Sequence, residues 1–377
     1  MRVALISDSH TKDNIEFILE YLKRKALSWK IDLIIINGDI LGENEIREGY
    51  GYNYNKKLFH ASLNKDKILQ NIVPELSDNL KKIIDAYEKG LKDEAMEIEF
   101  SKYIRDYVKA RYDYLINILK KFSSIKKTYF NMGVYESPLH YKVLTELAFL
   151  LDISEPYIRR IAMLSNYREI YKEFLAKIKD PKLKKLKYIG GTTIIEGDVL
   201  VTGIPGLNPS STTSDKASEF QEKITSDLMS TITRQLGYVS KLLILNQTQG
   251  RLRKDPFAFR PGSYSVRNFL ESVKGKLRQK IFVQSYHHWI TTHFYTASEF
   301  FFILNNAAVN NALFNILEIS TKVNVYDVDP KKDRVRRLKL YNHNLVDYST
   351  PEDRLKLNYE DSSEIMKERQ IKGCYYM

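Results

Sequence analysis

Two short apolar runs, Arg2–Ser7 and Leu33–Ile36, each end in a polar tip, and a segment of helical period joins them. The first run stops at Asp8, the second at Asn37-Gly38-Asp39, and between them Ile15, Ile18, Leu19, Leu22 and Ala26 recur at three- and four-residue spacing. Strand, amphipathic helix, strand is a βαβ unit. A crossover of this kind is what parallel strands need, because a tight hairpin cannot join two strands running the same way, so parallel pairing is expected. Polar groups at the carboxyl ends of parallel strands stand where an α/β sheet builds its binding site. The chain therefore reads as α/β, with chemistry expected at the strand tips.

The same punctuation continues. A long excursion from about 58 to 124 carries Ile104, Val108, Arg111, Leu115 and Ile118 on one helical face. Lys126–Asn131 reads as a third strand and leads to Gly133-Val134-Tyr135-Glu136. A second helical block spans about 139–187, with Val143, Leu147, Leu150 and Leu151 in one part and Ile158, Ile161, Ile170, Phe174 and Ile178 in the other. From Tyr188 to Gly203 the pattern becomes strand, turn, strand, and Ser210–Ser214 is a polar loop. Leu242–Leu245 is a buried strand ending at Asn246, and Ile281–Val283 runs into Ser285-Tyr286-His287-His288. Phe300–Leu304 and Val323–Val328 read as closing strands, and residues 348–377 as a polar C-terminal tail.

Asp8-Ser9-His10, Gly38-Asp39, Gly133–Glu136, Asn246 and Ser285–His288 stand in that order, each at a strand end. In order and context they resemble the calcineurin-like metallophosphoesterases, whose pattern is DxH, GD, GNH[DE], a lone His and GHxH. The resemblance spans roughly residues 1–329. It implies a β-sandwich flanked by helices, here with large helical insertions at about 58–124 and 139–187 and a basic insertion at about 251–280, within a domain of residues 1–347.

The resemblance also implies two metal ions that share a water and neutralise phosphoryl charge. Carried over residue by residue, the first ion takes Asp8, His10, Asp39 and His288, all present with suitable ligand chemistry. The second ion would share Asp39, and its three further positions fall on Val134, Asn246 and Tyr286. Valine cannot ligate, Asn246 offers a neutral carbonyl oxygen, and Tyr286 would bind only as a phenolate with a strongly lowered pKa. The proton-donating His of the family aligns with Tyr135, a poor acid near neutral pH. Asn131 is the other candidate for the third-strand asparagine; the frame that fits Gly133 and Glu136 to the motif's ends puts Val134 there instead. The expected cofactor is a divalent ion (Mn, Zn, Fe or Mg), with at most one ion well bound.

Lys and Arg outnumber Asp and Glu by 59 to 47, a formal net charge of +12. Such a surplus suits anionic partners, nucleic acid first, although a Lys-rich solvated surface gives the same total. A composition rich in Lys, Ile and Tyr with one cysteine also fits a thermophile. The surplus is densest after Asn246, at Arg251, Arg253, Lys254, Arg260, Arg267, Lys274, Lys276, Arg278 and Lys280, interleaved with Phe257, Phe259, Tyr264 and Phe269. Arg251, Arg253, Lys254 and Arg260 are the candidate nucleic-acid contacts: cations pair with phosphates while aromatics stack unpaired bases. The competing reading is a helical insertion whose aromatics are core, supported by Phe269, Leu270 and Val273 at helical spacing. A single cysteine, Cys374, excludes an intrachain disulfide and a cysteine-rich metal site. No apolar run reaches the roughly 20 residues of a membrane span, so a cytoplasmic protein is expected.

Two functions remain open at this point. One is a metallophosphoesterase-fold protein with a degenerate site, catalytically impaired and used as a nucleic-acid- or partner-binding subunit. The other is a metal-dependent phosphodiesterase or nuclease using one ion or an altered pair.

Overall fold

The computed structural model describes residues 1–7, 9, 12–40, 89, 94–133, 136, 167–205, 215–246, 265, 269, 272, 281–286, 293–298, 301–305, 312–338 and 341–342. Within them, two seven-stranded sheets face each other. The first has the order β13-β12-β11-β1-β2-β3-β4 and the second β14-β9-β10-β8-β7-β6-β5.

The βαβ unit is present. β1 (Arg2–Ile6) pairs in parallel with β2 (Leu33–Asn37), which pairs in parallel with β3 (Thr128–Asn131), and β3 in turn with β4 (Leu186–Tyr188). β2 reads Leu-Ile-Ile-Ile-Asn without alternation because it is buried along its whole length. α1 (Lys12–Lys25) carries Asp13 in its first turn and Lys23, Arg24 and Lys25 in its last, the arrangement its dipole favours. Its Ile15, Ile18, Leu19 and Leu22 are fully or almost fully buried.

In the second sheet β6 (Val199–Gly203), β7 (Lys241–Asn246), β8 (Ile281–Tyr286) and β10 (Phe301–Asn305) are parallel neighbours. β5 (Thr193–Glu196) is added antiparallel at one edge, and β9 (His293–Ser298) and β14 (Tyr341–Asn342) at the other. The first sheet is completed by β11 (Phe314–Ile319), antiparallel to β1, then β12 (Val323–Asp329) and β13 (Arg334–Arg337).

Between the sheets Val3, Leu5, Leu33, Ile35 and Tyr129 meet Val199, Val201, Leu243, Leu245 and Val283. The outer face of the first sheet is covered by α1, α2 (Glu94–Ile125) and α3 (Tyr167–Ile178), through residues such as Leu115, Phe122 and Phe174. The second sheet's outer face packs on α4 (Asp215–Gln235) through Leu228, Met229 and Ile232. Each such fully buried side chain contributes about 1.5–3 kcal/mol. The result is the expected α/β sandwich flanked by helices.

The motif strands were legible in sequence; β4, α4, β9, β11, β13 and β14 were not, and β4 puts the end of the expected second helical block into the first sheet, beside β3. Of the expected insertions, α2 and α3 are described, and the tail after 347 lies outside the described residues. Among the described residues no helix is long and apolar enough to cross a membrane.

Candidate metal centre

β1, β2, β3, β7 and β8 all end at the same side of the sandwich, and polar residues are buried there. Ser7 and Ser9 follow β1, Asn37 and Asp39 end β2, Asn131 ends β3 and Asn246 ends β7, each at most 2% exposed. Burying polar groups costs free energy unless they are hydrogen-bonded, so each must be accounted for.

Asp39 is the best-defined ligand candidate. Its φ of 51° lies in the left-handed region, directly after Gly38 at 77°. Asp tolerates this conformation better than most side chains. Glu136, 1% exposed, holds it there. One carboxylate oxygen of Glu136 accepts the backbone N–H of Asp39 at 2.9 Å and that of Gly133 at 2.8 Å; the other accepts the N–H of Ile40 at 2.6 Å. Three backbone donors on one carboxylate offset its desolvation. Tyr112 on α2 donates to the Glu136 carbonyl at 3.0 Å, which ties the third tip to the helical layer.

The two glycines are steric requirements of this knot. A Cβ on Gly133 would overlap the Asp39 carboxylate, and one on Gly38 would overlap the backbone of Gly133. Gly133 and Glu136 thus both lie against Asp39, the arrangement a GD tip and a G-x-x-E tip need to share one site.

Asn131 is turned elsewhere. Its Nδ2 donates to Asn37 Oδ1 at 2.9 Å and to the Ile204 carbonyl at 3.1 Å, and its Oδ1 lies against Gly203. Asn37 Nδ2 in turn donates to the Asn246 carbonyl at 3.1 Å. Asn37 and Asn131 therefore form a buried amide clip between the sheets, from the ends of β2 and β3 to the ends of β6 and β7. Asn246 stands opposite Tyr286 in the β7–β8 register, so both close the second sheet's side of the same end.

Asp8, His10, Val134, Tyr135 and His288 lie outside the described residues, as do Arg251, Arg253, Lys254 and Arg260. Ser9, between the first two, is buried. Among the described residues no three His, Cys, Asp or Glu side chains gather as a metal cluster. The described part nevertheless suits a divalent ion on the Asp39 side, where a buried carboxylate stands in a space cleared by Gly133 and its own backbone is clamped by Glu136. On the Asn246 side the available donor chemistry is a neutral amide. One aromatic of the basic stretch is placed: Phe269 is 4% exposed and packs with α4 and the second sheet, so it is core and no platform for a base. Sequence reasoning missed the Asn37–Asn131 clip and the full reach of Glu136.

No family model matches the chain, and no curated protein matches it by sequence. Among solved structures it is similar in fold to a dimetal phosphatase from Danio rerio, at 8% identity and a TM-score of 0.43, over 90% of this chain and 99% of that one. It is similar to the inner-membrane-complex anchor of Plasmodium at 10% identity and a TM-score of 0.41, over 94% of each chain. A 5'-nucleotidase from Candida albicans gives 12% identity and a TM-score of 0.36, over 97% of this chain and 58% of that one.

Proposed function

We propose that this chain is a phosphoesterase-fold protein with one retained metal position, serving as a binding subunit for nucleic acid or a protein partner. The observation that carries the reading is the asymmetry between the two halves of the site. The Asp39 tip, which the first ion needs and a second would share, is locked in a left-handed conformation by Gly38, Gly133 and the Glu136 carboxylate. On the second-ion side, the corresponding positions are Val134, Asn246 and Tyr286, none an ordinary anionic or imidazole ligand.

Asp8, His10, Asp39 and His288 would hold the ion. When bound, a divalent cation would neutralise phosphate charge and acidify a water. Loss of the second ion and of an imidazole acid at position 135 each removes several kcal/mol of transition-state stabilisation, by the usual size of such terms. Weak or absent turnover follows. The anion-binding capacity of the remaining ion, together with the basic stretch at 251–280, supports a role in holding phosphates rather than cleaving them.

A second reading, a one-ion phosphodiesterase or nuclease, is favoured by the same Asp39 knot, since a relic has no need of a strained and well-clamped ligand. One experiment separates the two. Manganese-dependent hydrolysis of a generic phosphodiester and of single-stranded nucleic acid is measured for wild type and Asp39→Asn, with bound metal counted in both. Asn tolerates the left-handed conformation, so the variant tests charge rather than fold. One ion per chain without turnover is the expected result for wild type. Turnover that disappears in Asp39→Asn would make the protein an enzyme and overturn the first reading.

A further inference from the structure

We propose that Asn14 is a positioning residue for the Asp8–Ser9–His10 tip, with its amide orientation set by Lys331. The inference rests on the one-ion reading above, in which that tip supplies two ligands.

Asn14 sits in the first turn of α1, 1% exposed. Its Nδ2 donates to the carbonyl of Ser9 at 3.1 Å. Ser9 lies between the two ligand candidates, so this bond fixes the peptide plane linking it to His10. On the other side, Lys331 Nζ donates to Asn14 Oδ1 at 3.3 Å. Lys331 belongs to the turn between β12 and β13. β12 is antiparallel to β11, and β11 antiparallel to β1, so that turn stands at the same end of the sheet as the tip. The ammonium also lies 5.3 Å from the centroid of Phe17, one helical turn beyond Asn14, which holds it over α1.

The polarity of this relay has a chemical cause. An ammonium has three donors and no acceptor. Facing one, an amide must present its oxygen, which leaves its NH2 for the Ser9 carbonyl. Each half of the expected ligand set thus has its own buried strut: Glu136 for the second tip, Asn14 for the first. They share no residue and come from different elements. Outer-shell partners of this kind typically alter metal affinity by about 10–100-fold when changed.

The test titrates Mn2+ into the full chain by calorimetry and records metal-free melting for wild type, Asn14→Asp, Lys331→Glu and Lys331→Met. Asn14→Asp keeps an acceptor for Lys331 but turns an acceptor on the Ser9 carbonyl. It should weaken Mn2+ binding about tenfold, well beyond what its melting shift accounts for. Lys331→Glu asks the amide to turn round and should weaken binding a few-fold while the exposed site leaves folding intact. Lys331→Met, which removes the orienting donor without asking the amide to turn, should weaken binding less than Lys331→Glu does. Wild-type affinity in both Asn14→Asp and Lys331→Glu would overturn the proposal. If wild type itself binds no Mn2+, the one-ion reading falls, and hydrogen exchange of residues 7–11 decides the relay separately. Faster exchange in Asn14→Asp than in wild type would sustain it, and equal exchange would end it.

Discussion

The Glu136 carboxylate accepts the backbone N–H of Asp39 at 2.9 Å across 97 positions of sequence. That bond makes the ligand tip of one strand depend on the loop after the next. Glu136→Gln keeps the shape but replaces one oxygen by an NH2 that must face a backbone donor. With three N–H groups served by this carboxylate, leaving one unsatisfied should cost about 1–3 kcal/mol. Urea denaturation of metal-free protein measures this. A loss under about 0.5 kcal/mol, the usual size of a surface change, would show that the knot is not stabilising.

Gly38→Ala and Gly133→Ala should behave differently although both introduce one methyl group. At Gly38 the added Cβ meets backbone and the residue sits at a φ of 77°, so neither neighbour nor chain can yield. At Gly133 the Cβ meets the Asp39 carboxylate and also the Asp39 backbone nitrogen, without the left-handed φ that Gly38 has. Gly38→Ala should therefore lose stability, on the order of 1–3 kcal/mol for strain of this kind. Gly133→Ala should lose stability too, through the Asp39 backbone, and should lose more metal affinity because it also displaces the Asp39 carboxylate. Melting curves with parallel Mn2+ titrations would reveal the split, and equal losses of both kinds in the two variants would contradict it.

The Asn37–Asn131 clip makes a prediction about coupling. Either residue changed to Leu strands a buried amide partner, for about 1–3 kcal/mol. Both changed together remove donor and acceptor at once, so the double variant should be less destabilised than the two singles summed. A coupling energy of about 0.5 kcal/mol or more is expected for residues in direct contact. Strict additivity in a double-mutant cycle would mean that the amides act separately.

Tyr171 supports the third tip from below, its hydroxyl 3.9 Å from Met132 Sδ. Burial raises its phenol from 10.0 to about 12. A folded pKa above the unfolded one contributes stability that is complete below pH 10 and lost as pH rises towards 12. Tyr171→Phe should flatten the decline in stability over that window. Tyr21 and Tyr188, also raised by burial, retain part of it. The acid side has the opposite sign. Hydrogen bonds from Asn324 and Arg2 lower the Glu318 pKa below its ordinary 4.5, so its contribution is complete above that value and lost as pH falls through the lowered one. Glu318→Gln should lessen acid sensitivity, as read from stability measured below pH 4.5.

The strand tips were legible because an apolar run broken by Gly-Asp or Asn is a local signal, and parallel pairing follows from the helix between β1 and β2. β11 was not legible. Phe314–Ile319 has no motif, and its pairing with β1 joins residues some three hundred apart. α4 was hidden by its serines and threonines, although Leu228, Met229, Ile232 and Leu236 keep helical spacing. In the site, Glu136 could be placed at a motif's end, but its bonds to Asp39 and Ile40 could not, since each is set by tertiary approach. The same holds for the Asn37–Asn131 clip and for Lys331, 317 positions from Asn14. A sequence names groups by type; which ones meet across a sandwich depends on register and crossover.

The basic stretch gives the sharpest test of the binding function. Phe269 is committed to the core and is withdrawn from base stacking, and the phosphate contacts proposed for Arg251, Arg253 and Arg260 are the part that charge reversal tests. Contacts of that type release condensed counterions, and for single strands the logarithm of affinity falls with the logarithm of salt by about 0.7 per phosphate neutralised. Changing all three to Glu should therefore lower affinity for single-stranded nucleic acid and reduce the salt slope by about 2. The measurement is fluorescence anisotropy of a labelled oligonucleotide at several salt concentrations. An unchanged affinity and slope would remove this surface as the nucleic-acid contact and direct the search to a protein partner.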